Sequence, residues 1–268
     1  MTTAAATVAA MTSDAAGRSV LVTGGSRGIG AAAAVCCAEL GFDVVVNYTR
    51  DAAAAQAAVD RVLALGRRAI AVQADVSVEA QVVSMFAQLD AAARAGKVAP
   101  LHGLVNNAGV VDRATRVEQI DGARLQRMFA INVFGSFLCA REAVKRLSTR
   151  HGGPGGTIVN LSSAAARLGG PGQYVDYAAA KGAIDTFTIG LAREVATEGI
   201  RVNAVRPGII ETDIHASGGQ PDRVQQLAPQ VPMQRAGSAD EVAQAIVWLM
   251  SEQSSYTTGA VIDVTGGR

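Results

Sequence analysis

An excess of charge of either sign is missing from this sequence: 24 Lys and Arg stand against 23 Asp and Glu, a formal net charge of +1. Without a basic excess or a run of like charge, neither a nucleic-acid surface nor a membrane-surface face is indicated. Cysteine is scarce as well. Cys36, Cys37 and Cys139 form an odd set with two members adjacent, a poor disulfide framework that points to reduced thiols and a cytoplasmic protein. The three histidines, His102, His151 and His215, are scattered and make no metal-ligand spacing with those cysteines. No apolar run reaches the roughly 20 residues of a membrane span, and no internal repeat divides the chain. The opening MTTAAATVAAMTSDAAG lacks the basic start and Leu/Val-rich centre of a secretory signal, so residues 1–17 are expected to be a flexible tail, with Met11 an alternative start.

What is present is apolar residues, 49% of the chain, enough for a large core. They fall into short β-rich runs ending in turn residues: 19–24, 43–48, 69–75, 104–109, 157–163, 201–208 and 260–267. Between these lie Ala-rich segments with helical spacing at 29–40, 52–65, 78–95, 123–149, 175–198 and 239–251. Continuous rather than alternating apolar strands imply a sheet covered on both faces, and strand alternating with helix implies parallel βαβ units. The expected fold is α/β, a single doubly wound (Rossmann) domain over residues 18–268 with a seven-stranded, mostly parallel sheet. The GG-rich breaks at 152–156 and 216–221 are expected to be loops, the second a candidate lid.

The first strand runs into Gly24, Gly25, Ser26, Arg27, Gly28, Ile29 and Gly30 and then into an Ala-rich helix. A strand, a glycine turn and a helix start in that order aim backbone N–H groups and the positive end of the helix at a phosphate. The spacing is G-x-x-x-G-x-G, not the commoner G-x-G-x-x-G. An acid gripping a ribose 2′-hydroxyl belongs near the end of the second strand, yet Asn47, Tyr48, Thr49 and Arg50 stand there, with no carboxylate before Asp51. Arg27 and Arg50 together suit a 2′-phosphate, which favours NADP(H) and leaves NAD(H) as the alternative. Asp75 and Val76 close the third strand where an acid meets an adenine amino group. Asn107, Ala108 and Gly109 close the fourth, small enough for the chain to pass close to a cofactor.

Tyr174 and Tyr177 both lie near Lys181. Four residues apart on a helix, Tyr177 and Lys181 share a face one turn from each other, whereas Tyr174 projects about a turn too far. A phenol titrating near pH ~10 is a poor base at neutrality, and a neighbouring ammonium is expected to lower that value. Tyr177 is therefore the candidate to pass a proton to a carbonyl oxygen or take one from an alcohol.

TGGSRGIG, NNAG, VNLSS, YAAAK and RPG, in this order, make a chain that resembles the short-chain dehydrogenase/reductase family, with the likeness running from Arg18 to Arg268. It is most similar to bacterial sugar- and oxoacyl-reductase-like members. The resemblance implies that Tyr177 is the acid/base and that Lys181 also holds the nicotinamide ribose. It implies that the substrate-polarising serine is one of Ser162 and Ser163. The interval to Tyr177 is one residue longer than usual from Ser163; with that residue absorbed in the LGGPGQYVD loop, Ser163 is the assignment and Ser162 is turned away. It further implies that Asn132 holds a water linking the lysine to solvent. The turn of Pro207, Gly208, Ile210 and Thr212 is implied to meet the nicotinamide carboxamide, Ile210 through its backbone and Thr212 through its hydroxyl. Tyr174 becomes a pocket wall. The implied assembly is a homotetramer with the terminal strand near a second interface, and the implied activity is hydride transfer between a nicotinamide and a ketone or secondary alcohol. A sugar or alcohol dehydrogenase preferring NAD(H), or a cofactor-sensing regulator without turnover, are the competing readings. Residues 215–235 are expected to shape the pocket rim, but their side chains name no substrate.

Overall fold

The computed structural model describes residues 15–268. The expected tail therefore lies outside the described residues up to position 14, Met11 included. Residues 15–17 form a turn in which Ala15 is buried against the core.

Seven strands form one sheet in the order β3-β2-β1-β4-β5-β6-β7, and every recorded pairing is parallel. They are β1 Ser19–Val22, β2 Asp43–Tyr48, β3 Ala69–Gln73, β4 Leu101–Asn106, β5 Gly156–Leu161, β6 Ile200–Pro207 and β7 Val261–Val264. The long helices are α1 Gly28–Glu39, α2 Ala52–Ala64, α3 Glu79–Arg94, α4 Gly122–Phe129, α5 Gly135–Leu147, α7 Val175–Val195 and α10 Ala239–Met250. Short helices α6 Ala165–Leu168, α8 Ile214–Ser217 and α9 Arg223–Leu227 lie where no helix was expected, α8 running into the loop expected at 216–221.

Strand alternation divides the core between two layers. Val20 and Val22 of β1 pack with α1, α2 and α10, whereas Leu21 packs with α3, α5 and α7 on the other face. Phe86, Met85 and Leu89 of α3 are fully buried there, each such side chain contributing roughly 1.5–3 kcal/mol. At the start of β2 the buried Asp43 accepts from the N–H groups of Arg68 and Ala99 and pairs with Arg67 and Arg68. Burial pushes that carboxyl up, but these partners hold it below its ordinary value.

The chain leaves β1 for β2 on one side and returns to β4 on the other, so the order reverses between β1 and β4. A crevice opens beyond the carboxyl ends of strands at such a point. The one helix expected over 123–149 is two helices, broken by a π-helical turn at Ala130–Phe134. Gly135 begins α5 hard against β3's exit: a Cβ there would sit 2.7 Å from Val76 Cγ2. The break turns Asn132 fully inward, a placement that a regular 3.6-residue period does not forecast.

Candidate active site

The glycine loop is built by neighbours on β2 and β4. Gly24 and Gly28 both have positive φ (60° and 53°), which side-chain-bearing residues rarely adopt. The Gly24 N–H donates to Asn47 Oδ1 at 3.1 Å, and Asn107 Nδ2 donates to the carbonyls of Thr23 and Gly24. Gly30 opens α1 against that loop: a Cβ would collide with the Gly24 carbonyl and sit 2.5 Å from Asn107 Nδ2. At the first turn of α1, Arg27 is the cap residue, no side chain caps the helix, and no acid stands there. Its leading N–H groups are thus left for an anion, the fit that a dinucleotide pyrophosphate requires.

Around the expected adenosine end, the side chains divide. Asn47 is buried and spent inside the protein, its amide donating to the carbonyls of Val72 and Ala74, so it supports the loop instead of facing the crevice. Arg27, Thr49 and Arg50 are exposed and Tyr48 is half-buried. Asp51 caps α2 by accepting from the Ala54 N–H at 2.9 Å, which removes the nearest carboxylate from competition. Asp75 is half-buried, with Oδ1 held by the N–H and hydroxyl of Ser77, while Val76 is buried beside α5.

At the other end a cleft of about 330 Å³ is lined by Ile29, Asn107, Gly109, Ser163, Tyr177 and Lys181 together with Pro207, Gly208, Ile210 and Thr212. Thr212 faces the glycine loop directly, 3.3 Å from where a Cβ on Gly28 would stand. Tyr177 and Ser163 share a hydrogen bond through their side chains, and Ser163 Oγ also accepts from the Ala165 N–H. Ser162 is buried and donates to the Lys181 carbonyl at 3.2 Å, so it is turned away from the cleft.

Lys181 is buried; its Nζ lies 5.6 Å from the centre of the Tyr177 ring and donates to the Leu161 carbonyl at 2.6 Å. Burial pulls its pKa down to about 8, with the charge of Asp185 one turn along opposing the drop. The phenol moves the other way. Burial pushes Tyr177 up to about 12, and the Ser163 hydrogen bond only softens the rise. The expected lowering of the phenol by the ammonium is not found: desolvation, which penalises both charged forms, sets the direction of each shift.

Asn132 projects from the π-helical turn with its amide fully used: Oδ1 accepts from the Val110 N–H, and Nδ2 donates to the Val110 and Met128 carbonyls. This fixes the turn after β4 beside the lysine. A Cβ on Gly109 would fall 2.8 Å from Asn132 Oδ1 and 3.6 Å from Lys181 Nζ, so only glycine leaves that approach open.

A family model described as Enoyl-(Acyl carrier protein) reductase matches residues 24–268. A solved structure of a short chain dehydrogenase from Burkholderia cenocepacia J2315, in complex with NADP, superposes with a TM-score of 0.82 at 35% identity, covering 94% of this chain and 98% of that one. The chain belongs to the short-chain dehydrogenase/reductase family. It is an NAD(P)-dependent oxidoreductase of that family. It is 54% identical to the uncharacterized oxidoreductase YgfF of Escherichia coli (strain K12), over 92% of this chain and 98% of that protein. It is 40% identical to the chloroplastic NADPH-dependent aldehyde reductase-like protein of Arabidopsis thaliana, over 94% of each chain.

Gln220 and Arg223 of this short-chain dehydrogenase/reductase fall in the 215–235 segment expected at the pocket rim, whereas Gln173 and Arg268 were not singled out in the sequence. Gln173, Arg223 and Arg268 line the cleft, and Gln220 accepts from the Tyr174 hydroxyl at 2.8 Å. Tyr174 is a wall, as its spacing from Lys181 suggested. Arg268 stands 87 positions beyond Lys181 by numbering (268 minus 181) and carried no local signal. Among the described residues no group of His, Cys, Asp and Glu could hold a metal, and no helix is long and apolar enough to cross a membrane.

Proposed function

We propose that this short-chain dehydrogenase/reductase reduces a ketone or aldehyde to an alcohol with NADP(H), with Tyr177 as general acid. The observation that carries the reading is the meeting of Tyr177, Ser163 and Lys181 in one cleft that the Pro207–Thr212 turn also lines. When bound, the nicotinamide supplies the hydride that reaches the carbonyl carbon. Ser163 donates a hydrogen bond to the carbonyl oxygen and orients it. Tyr177 gives the same oxygen its proton as the alkoxide forms. A phenol held up to about 12 stays protonated across the neutral range and is therefore charged for donation, which favours reduction. Lys181, its pKa pulled down to about 8, returns a proton to Tyr177, and the turn that Asn132 fixes leads the replacement proton in from water. Oxidation of the alcohol is the same path reversed.

Gly24, Ser26, Gly28, Ile29 and Gly30 would hold the pyrophosphate at the head of α1, Asp75 and Val76 the adenine side, and Lys181 the nicotinamide ribose. Ile210 and Thr212 would meet the carboxamide. The NADP(H) preference is supported by exposed Arg27 and Arg50 and by the capping role of Asp51, and by the NADP complex of the Burkholderia relative. A panel of carbonyl compounds assayed with NADPH and with NADH tests both parts: activity across the panel with NADPH ahead is expected. Rates with NADH equal or better overturn the preference, and no turnover with either cofactor overturns the catalytic reading.

The homotetramer is part of the same proposal. Phe134 and Phe137 are 57% and 46% exposed and Ile189 of α7 is 37% exposed, an uncovered apolar face on which Phe137 stacks against Phe187. A cytoplasmic setting fits the three unpaired, buried thiols; burial pushes Cys36 up to about 11 and Cys139 to about 12, so neither is a reactive thiolate.

A further inference from the structure

The residues that line the cleft include three cationic ones, Lys181, Arg223 and Arg268, and no Asp or Glu; Arg268 also borders an adjoining pocket that Asp263 and Glu241 line. Lys181 belongs to the chemistry already described. The two arginines do not, and neither forms a salt bridge among the described residues.

Arg223 comes from α9 and lies over the Tyr174 ring, 4.9 Å from its centre. Its Nη1 donates to the side-chain oxygens of Gln173 and Gln220 at 2.7 and 2.8 Å, both neutral acceptors. Arg268 arrives from the far end of the sequence. Gly266 and Gly267 turn the chain there with φ of 66° and 93°, and the Met233 N–H holds the Gly266 carbonyl at 3.1 Å. The Arg268 Nη1 is buried with no hydrogen-bond partner. Burial pulls Arg223 below the ordinary arginine range; Tyr174 opposes this, and the charge of Arg268 adds a smaller push downward.

A protein gains nothing by holding two like charges together and burying one donor unpaired, since an unmet buried donor on a charged group is costly. An anion between them satisfies the donor and removes the repulsion. Val111, Pro171 and Leu168 make the neighbouring wall apolar. We propose that the cleft selects carbonyl substrates that carry an anionic group, a carboxylate or a phosphate monoester, on an apolar body, with Arg223 and Arg268 as its anchors. This rests on the reductase reading, because the arginines share their cleft with Ser163 and Tyr177.

The test uses sets of ketones alike except at one end, which is a carboxylate, its methyl ester or a phosphate monoester, assayed with NADPH. The carboxylate-to-ester ratio of kcat/KM is expected to be about tenfold or more, and a phosphate arm exceeding the carboxylate arm assigns the anion as phosphate. Arg268→Met and Arg223→Met should each cut that ratio about tenfold, through KM. Equal kcat/KM for anionic and ester ketones, or variants that leave the ratio unchanged, overturns the proposal. Calorimetric binding of the same carboxylate and ester alcohols to the NADP-loaded protein needs no turnover. Preferential binding of the carboxylate that Arg268→Met abolishes supports the anchor even if no ketone is reduced, an outcome that would strike only the catalytic reading; equal binding of the two alcohols overturns the anchor.

Discussion

Ser162 donates its hydroxyl proton to the main-chain carbonyl of Lys181, while its neighbour Ser163 shares a hydrogen bond with Tyr177. Two adjacent serines just beyond β5 thus have different surroundings: one ties the strand end to α7, and the other lines the cleft beside Tyr177.

Ser163→Ala is expected to lower kcat by about 10²–10³-fold, the usual loss of one donor to a developing oxyanion. Tyr177→Phe should lower it by about 10²–10⁴-fold while NADPH binding, followed by cofactor fluorescence, is kept. Ser162→Ala should show its effect in the unfolding midpoint. Equal loss of kcat in both serine variants would defeat the division of roles.

The pH dependence of reduction should be set by Lys181. Above its pKa of about 8 the buried amine loses the proton it returns to Tyr177, whereas the phenol, held up to about 12, stays protonated. The rate of ketone reduction is therefore expected to fall above about pH 8 and to be level below it. Lys181→Arg, which does not deprotonate in this range, should move the falling limb upward. A wild-type profile flat to about pH 10 would remove Lys181 from the relay.

Gly30→Ala should be poorly tolerated, because its methyl group meets the Gly24 carbonyl and the Asn107 amide that hold the loop. A loss of about 1–3 kcal/mol in denaturant titration is expected, together with weaker NADPH binding. Gly96→Ala, at a surface turn with open space around it, is the control for a glycine substitution as such; its φ of 70° still predicts a smaller cost. Equal effects of the two on cofactor binding would argue against the packed loop.

Asp176 opens α7 immediately before Tyr177 and grips Arg124 of α4 through two hydrogen bonds of 2.7 and 3.1 Å. Both side chains are buried, and the bond to Asp176 holds Arg124 above the ordinary arginine value. Asp176→Ala strands a buried guanidinium and is expected to cost about 3–5 kcal/mol, whereas the Arg124→Met, Asp176→Leu double variant should recover most of it. Urea unfolding of the three proteins decides this; a single variant as stable as the parent would show that the pair is not structural.

The sequence by itself determined the features written in short-range periodicity. The alternation of apolar strand and Ala-rich helix, the glycine turn after β1, and the shared helical face of Tyr177 and Lys181 all follow from spacing within one element. Nothing elsewhere in the chain is needed to see them. Tertiary structure decided what depends on partners far apart in sequence. The break at Ala130–Phe134 interrupts a segment whose composition is helical throughout, and it sets Asn132 against the turn after β4. Asn47, placed at the ribose by its strand position, is consumed by main-chain groups of two other segments, the glycine loop and the end of β3. Burial, which no local pattern measures, reversed the expected shift of the Tyr177 phenol. And Arg268 reached the cleft only because the chain folds back at Gly266 and Gly267, since proximity through space is fixed by packing and not by distance along the chain.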